Sequence, residues 1–275
     1  MSGATGIYPA PDTRRRGAAL TAGLRRHLPA IVAFLVVVLA WELISSSSSR
    51  RVIPPPSSIW AAMARDSNLL LKSATATFTE AIGGLIIGTL AGLFVGFATA
   101  RWAVARDIML PLAIGASTIP LIAIAPIVNN WFGVLNPLSK MMMAALLVFF
   151  PVVINVTRGL VEVQSAQLEL MRSYAASDTE ILRKVRVPNM LPFLFTALKV
   201  ATTLAFIGAI VGEYFGGTSE VIGRIVLTSM SSGSFSLAWA GIMVGALGAI
   251  GTYLVVSVSE RLLIPWHTAL RDSGS

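Results

Sequence analysis

Few side chains in this sequence could do chemistry, and those few sit beside long apolar runs. Asn129, Asn130 and Trp131 stand together, pairing amide hydrogen-bonding groups with an aromatic face. That combination suits a planar polar heterocycle, while the competing reading makes Trp131 an anchor at a membrane interface. Glu213 and Tyr214 close a later apolar run, where the carboxylate either faces a polar path or ends a helix in solvent. Lys199 lies deeper in the same run and needs a partner, water or a snorkelling route, so a structural role is expected of it. No catalytic set emerges. The two histidines, His27 and His267, are far apart, there is no cysteine, and no G-x-x-x-x-G-K-S/T phosphate loop occurs. Metal binding, thiolate chemistry and ATP hydrolysis by this chain are therefore not expected.

The elements that hold these residues must be membrane helices. Hydrophobic residues make up 55% of the chain and charged residues 12%, against about 25% charged in soluble domains. Mean hydropathy is +0.76. A span needs about 20 mostly apolar residues, and six stretches qualify, at approximately 29–45, 80–100, 108–128, 138–156, 190–213 and 237–258. The expected fold class is an all-α membrane protein with six transmembrane helices. Pro111, Pro120 and Pro126 fall in the third stretch and predict a kinked or broken helix. Gly84, Gly88, Gly92 and Gly96 recur every four residues and form one glycine face, and Gly241 with Gly245 repeats the pattern. Close helix packing is the expected role, with lining of a path the alternative.

The net charge of +8 does not form a continuous basic face, so nucleic acid is not expected as a partner. With a cytoplasmic N-terminus, the inner segments hold Arg14, Arg15, Arg16, Arg101, Arg106, Arg158, Arg172, Arg183, Lys184, Arg186 and Arg261, among others. The outer segments hold Arg50, Arg51, Arg65, Lys72, Lys140 and Arg224. This asymmetry predicts both termini inside, at the anionic cytoplasmic surface. The expected organisation is a basic arm over 1–28, ending in a short surface helix, a six-helix domain over 29–260 and a cytoplasmic tail over 261–275. A cleaved signal peptide over 14–45 is the rival reading, and it lacks a small-residue cleavage site. Outside, Pro54, Pro55 and Pro56 precede a helix start at Ser57, with an interfacial helix over 59–71 and Trp60 as its headgroup anchor. The Gly- and Ser-rich stretch 214–236 reads as a mobile connection.

The inner loop 157–189 carries the most information. Its apolar residues have helical spacing, Ala175, Ala176 and Ser177 form a small-residue patch, Asp178 starts a helix, and Pro188 precedes the next span. A helical hairpin presenting a small, flat knob to the cytoplasm fits this pattern, and so does an ordinary amphipathic surface helix.

This loop resembles the signature loop of binding-protein-dependent ATP-binding cassette (ABC) importers, roughly E-A-A, three residues, G, nine residues, I-x-L-P. Leu170, Met171, Arg172, Ser173, Tyr174, Ala175, Ala176 and Ser177 match its front half, and Val185, Arg186, Val187 and Pro188 its end. Met171 departs from the usual alanine and Ala175 from the usual glycine, predicting a bulkier and more rigidly helical knob. The resemblance runs from about Ile53 to Trp266. Ile53-Pro54-Pro55-Pro56-Ser57, the stretch from Ile119 to Pro126 with Trp131-Phe132-Gly133, and Phe150-Pro151 with Asn155 and Gly159 resemble the nitrate, sulfonate and taurine permease group. Within it, the 171–177 stretch and Val211 to Gly217 are most similar to riboflavin or thiamine-precursor pyrimidine permeases.

The resemblance implies a type I ABC importer permease fold in a bacterial inner membrane. It implies a second permease copy as a homodimer partner, an external substrate-binding protein, and an ATPase dimer holding ATP and Mg. It further implies that Tyr174, Ala175, Ala176, Ser177, Asp178 and Ile181 couple to that ATPase. Cargo would be a small planar nitrogen-containing nutrient, or else a sulfonate, taurine or nitrate. A secondary transporter is the alternative of another class, but only one Pro-broken span occurs where paired interrupted helices would be expected.

Overall fold

The computed structural model describes residues 13–47 and 52–265, with side chains from residue 28 onward. The first part of the basic arm, Arg50, Arg51, the side chain of His27, and the tail from Trp266 with His267 and Arg271 lie outside the described residues.

The first unit of the chain holds helix α1 (Thr13–Ser47), which runs unbroken through Pro29. The basic stretch and the first apolar stretch are thus one helix, not a separate surface helix followed by a span. Glu42 of α1 receives the Ser57 hydroxyl at 2.6 Å and the Ser57 amide at 3.1 Å. A carboxylate there complements the start of helix α2 (Pro56–Arg65).

In the second unit, α3 (Ser67–Arg101) begins one residue after α2 ends, with Asp66 at the junction. The expected interfacial helix over 59–71 is therefore divided, its second half forming the first turn of a long span. α4 (Ala103–Ser117) and α5 (Leu121–Phe132) bend by 96° across Thr118, Ile119 and Pro120. Pro120 lacks an amide proton and biases Ile119 away from helical backbone, so the span breaks where the prolines predict. α6 (Pro137–Val161) follows, then α7 (Ser165–Ser173), α8 (Asp178–Ile181), a π-helical turn (Leu182–Arg186), α9 (Val187–Phe215), α10 (Ile222–Ser231) and α11 (Phe235–Leu263). Among the described residues five helices are long and apolar enough to cross a membrane, and the bent α4–α5 pair makes six. Arg261, assigned from sequence to the tail, lies in the last turn of α11.

The core is built by α3, α6 and α9, and its register explains the glycines. A methyl group on Gly88 would lie 2.8 Å from the Val148 Cβ, one on Gly92 2.8 Å from the Val152 Cβ, and one on Gly96 2.7 Å from a Val156 methyl. The pairs advance together by four residues, so α3 and α6 run parallel with backbones in close contact. α9 runs antiparallel to α6: Gly159 faces Met190, and Gly208 faces Ala144 with only 2.6 Å from an added methyl to its Cα. Leu85, Val148, Val152, Val156, Ala197, Ala201 and Ala205 fill the space between. Gly241 meets Val226 of α10, and Gly245 meets Ile210 of α9.

α10 corrects the expectation of a mobile connection over 214–236. Ile222, Ile225, Val226 and Ser229 are buried along one helical face. With Ala74 and Ala238, Ile222 and Val226 form a small core of their own. The spacing of these residues was a helical signal that the surrounding glycines and serines obscured.

Candidate functional site

Two polar regions lie at opposite ends of the α3, α6 and α9 core. At one end, Glu80 of α3, Lys140 of α6 and Glu213 of α9 are all buried. Glu213 Oε2 accepts a hydrogen bond from the Gly223 amide at 2.6 Å, and Thr77 Oγ1 accepts one from the Ile222 amide at 3.0 Å. Two of the free amides at the start of α10 are thereby satisfied, and the carboxylate also complements the helix dipole. The reading of Glu213 as a solvated helix end is corrected: its side chain is 0% exposed. Lys140 donates to the carbonyls of Val134 and Asn136 and interacts electrostatically with Glu80 and Glu213. Burial of three ionisable groups in one place is tolerable only with such mutual compensation. The sequence pattern places Lys140 in an outer segment and marks no role for Glu80, because both sit at the edges of apolar runs. Acidic and basic residues just inside neighbouring span ends were the signal that could have linked them.

Asn129, on α5, is buried beside Gly216, and neither of its amide atoms has a hydrogen-bond partner among the described residues. Asn130 and Trp131 are exposed, so the three residues divide between an inner and an outer face of α5. Tyr214 is half-buried and packs on the α10 core. Lys199 forms an ion pair with Glu260 of α11, in line with its expected structural role.

At the other end, the 157–189 loop forms a capped hairpin. α7 closes with a Schellman arrangement: the Ala176 amide bonds the Met171 carbonyl at 3.0 Å and the Ala175 amide bonds the Arg172 carbonyl at 2.9 Å. Ala175 takes the left-handed conformation this requires, with φ of 52°. The expectation of a more rigidly helical knob is corrected here. Alanine performs the helix-ending turn that glycine makes more easily.

Ser177 then caps α8 reciprocally with Glu180, forming a capping box. The π-turn accommodates Pro188, whose ring would otherwise crowd the preceding turn, with the Val187 amide reaching the Leu182 carbonyl. Tyr174 is 78% exposed at the tip, so the knob carries an aromatic projection in addition to its small residues. Ala175, Ser177 and Asp178 are exposed, whereas Ile181 is buried and anchors the hairpin. At the base, Asn189 Nδ2 donates to the carbonyls of Gly159 at 2.8 Å and Glu162 at 3.1 Å. The base of the hairpin is thus tied to the ends of both α6 and α9.

This arrangement of spans has the type I ABC importer permease fold. It matches an inward-facing structure of the MetNI methionine ABC transporter with a TM-score of 0.61 and 18% identity, covering 72% of this chain and 97% of that one. A second form of the same transporter matches with a TM-score of 0.51.

The chain belongs to the family described as binding-protein-dependent transport system inner membrane component, matched over residues 70–266. A probable ABC transporter permease protein of Haemophilus influenzae is 28% identical over 80% of this chain and 89% of its own length. The riboflavin transport system permease protein RibX of Chloroflexus aurantiacus is 28% identical, covering 76% and 77%. The formylaminopyrimidine transport permease protein ThiX of Halalkalibacterium halodurans is 34% identical, covering 57% and 62%. This protein is accordingly a multi-pass ABC importer permease subunit, the transport component and not the catalytic one.

Proposed function

We propose that two copies of this chain form the translocation path of an importer that receives its energy through residues 174–181. A separate ABC ATPase dimer, holding ATP and Mg, would grip that segment, and an external binding protein would deliver cargo to the opposite end. The observation that carries this reading is the hairpin itself. Its exposed tip is stiffened by the Ser177–Glu180 capping box and its base is fastened to α6 and α9 through Asn189. Such a unit transmits displacement as a rigid body.

Arg101, Arg158, Arg172, Arg183, Lys184 and Arg186 gather at the hairpin end, which supports placing it and both termini in the cytoplasm. The absence of cysteine makes the test clean. A cysteine placed at Ser177 should resist an impermeant thiol reagent applied outside intact cells; labelling there would reverse the orientation.

Cargo is a small planar nitrogen-containing nutrient in this reading, a flavin or a pyrimidine precursor. The similarity to the riboflavin and formylaminopyrimidine permeases supports it. So do the exposed Asn130 and Trp131 on α5, whose amide and ring suit hydrogen bonding to and stacking on a heterocycle. Asn129, Glu213 and Tyr214 would hold that surface from behind. Relatives named for aliphatic sulfonates and taurine supply the competing cargo class. Calorimetry on the cognate binding protein decides between them. Tight binding of riboflavin or a pyrimidine is expected, and tight binding of taurine or sulfonates with no heterocycle binding would overturn the assignment.

A further inference from the structure

A cavity of about 310 Å³ lies between the hairpin and the ends of the spans it joins. Its apolar lining includes Phe97 of α3, Leu160 of α6 and Leu182 of the π-turn. Three arginines from different elements line it: Arg101 at the end of α3, Arg172 on α7 and Arg186 before α9. Among the described residues none of the three has a carboxylate partner within 4.0 Å, and Asp178 is the one acidic residue in the lining. A cluster of cations without carboxylate partners favours an anion among them.

We infer that this cavity is a binding site for a phosphate-bearing anion, supplied by the headgroup of an anionic membrane phospholipid. Guanidinium groups recognise phosphate oxygens through paired, charge-assisted hydrogen bonds. The apolar lining would suit the glycerol and first acyl carbons, which free phosphate does not have. Asp178 can accept a hydrogen bond from a headgroup hydroxyl, as in phosphatidylglycerol, and choline offers no such donor. The cavity is bounded by span ends on one side and the hairpin on the other, so an occupant would brace the segment that the proposed coupling uses. The inference goes beyond that function and does not require it.

The test is lipid retention by the full-length permease in nanodiscs of phosphatidylcholine containing one-fifth phosphatidylglycerol, read by native mass spectrometry. Preferential retention of phosphatidylglycerol is expected. Each guanidinium near an anionic headgroup contributes roughly a fivefold preference, so R172Q/R186Q should reduce it on the order of tenfold or more. R172K/R186K should keep part of the preference. R261Q, at the far end of α11 and outside the cavity, should keep all of it. Retention of the two lipids by the unmodified protein in proportion to the nanodisc composition overturns the inference without needing any variant. So does an undiminished preference in a folded R172Q/R186Q protein. Inorganic phosphate that displaces phosphatidylglycerol at millimolar concentration would reassign the site to a free anion. Loss of the lipid on adding the ATPase would assign the cavity to that partner.

Discussion

Replacing Gly88 with alanine tests the packing that holds the permease together. The added methyl would sit 2.5 Å from the Ala145 carbonyl oxygen and 2.8 Å from the Val148 Cβ, where comfortable separations are about 3.5–4.0 Å. α3 and α6 would have to part by about 1 Å at this turn to restore ordinary contact. Two effects oppose each other. Alanine favours the helix by about 0.5–1 kcal/mol over glycine, whereas overpacking costs about 1–3 kcal/mol. The neighbours are a backbone oxygen and a β-branched valine, neither of which can swing aside, so overpacking wins and a net loss of about 1–2 kcal/mol follows. At about 2–4 °C per kcal/mol, the thermal midpoint in mild detergent should fall by about 2–8 °C. Gly115 and Gly251 provide the control, since an added methyl at either meets nothing within 4 Å. Their alanine variants should hold or raise the midpoint. A Gly88→Ala midpoint at or above that of the unmodified protein would show that the glycine face does not pack on α6.

Ala175→Gly should relieve about 1 kcal/mol of left-handed backbone strain while keeping uptake, and Ala175→Val should destabilise the hairpin; hydrogen exchange across 165–186 reads both. Lys140→Met removes the buried amine beside Glu80 and Glu213; because a buried carboxyl can take up a proton instead of staying charged, the loss should be about 1–3 kcal/mol, seen as less folded protein in detergent. For Lys199 and Glu260, a double-mutant cycle should give a coupling of about 0.5–1.5 kcal/mol, with the charge-exchanged pair regaining part of the loss seen in either single variant; strict additivity would mean the pair is incidental.

The spans were legible because lipid imposes length and apolarity on every one of them. The break between α4 and α5 was legible for a related reason, since proline acts locally and Pro120 needs no tertiary context to end a helix. Glycines four residues apart announced a close face, though not its partner, which depends on how α6 lies against α3. What escaped the sequence depends on contacts between distant segments. Glu80, Lys140 and Glu213 look like the edges of three separate apolar runs, and only the parallel α3–α6 pairing and the return of α9 bring them together. α10 hides among glycines and serines because its buried face is short. In the hairpin, the left-handed turn was expected to be lost with glycine, yet the Schellman hydrogen bonds and the Ser177 cap on either side impose it on Ala175.

Reconstitution measures the central claim most directly. The permease, placed in proteoliposomes with its ATPase inside and its binding protein outside, should import cargo only when all three components and ATP are present. Ala176→Arg sets a long charged side chain into the segment proposed to dock. It should abolish uptake and ATPase binding while the spans insert normally, because the lipid-facing surfaces are unchanged. Uptake and ATPase binding at normal levels in the Ala176→Arg protein, or uptake without the ATPase, would contradict the account.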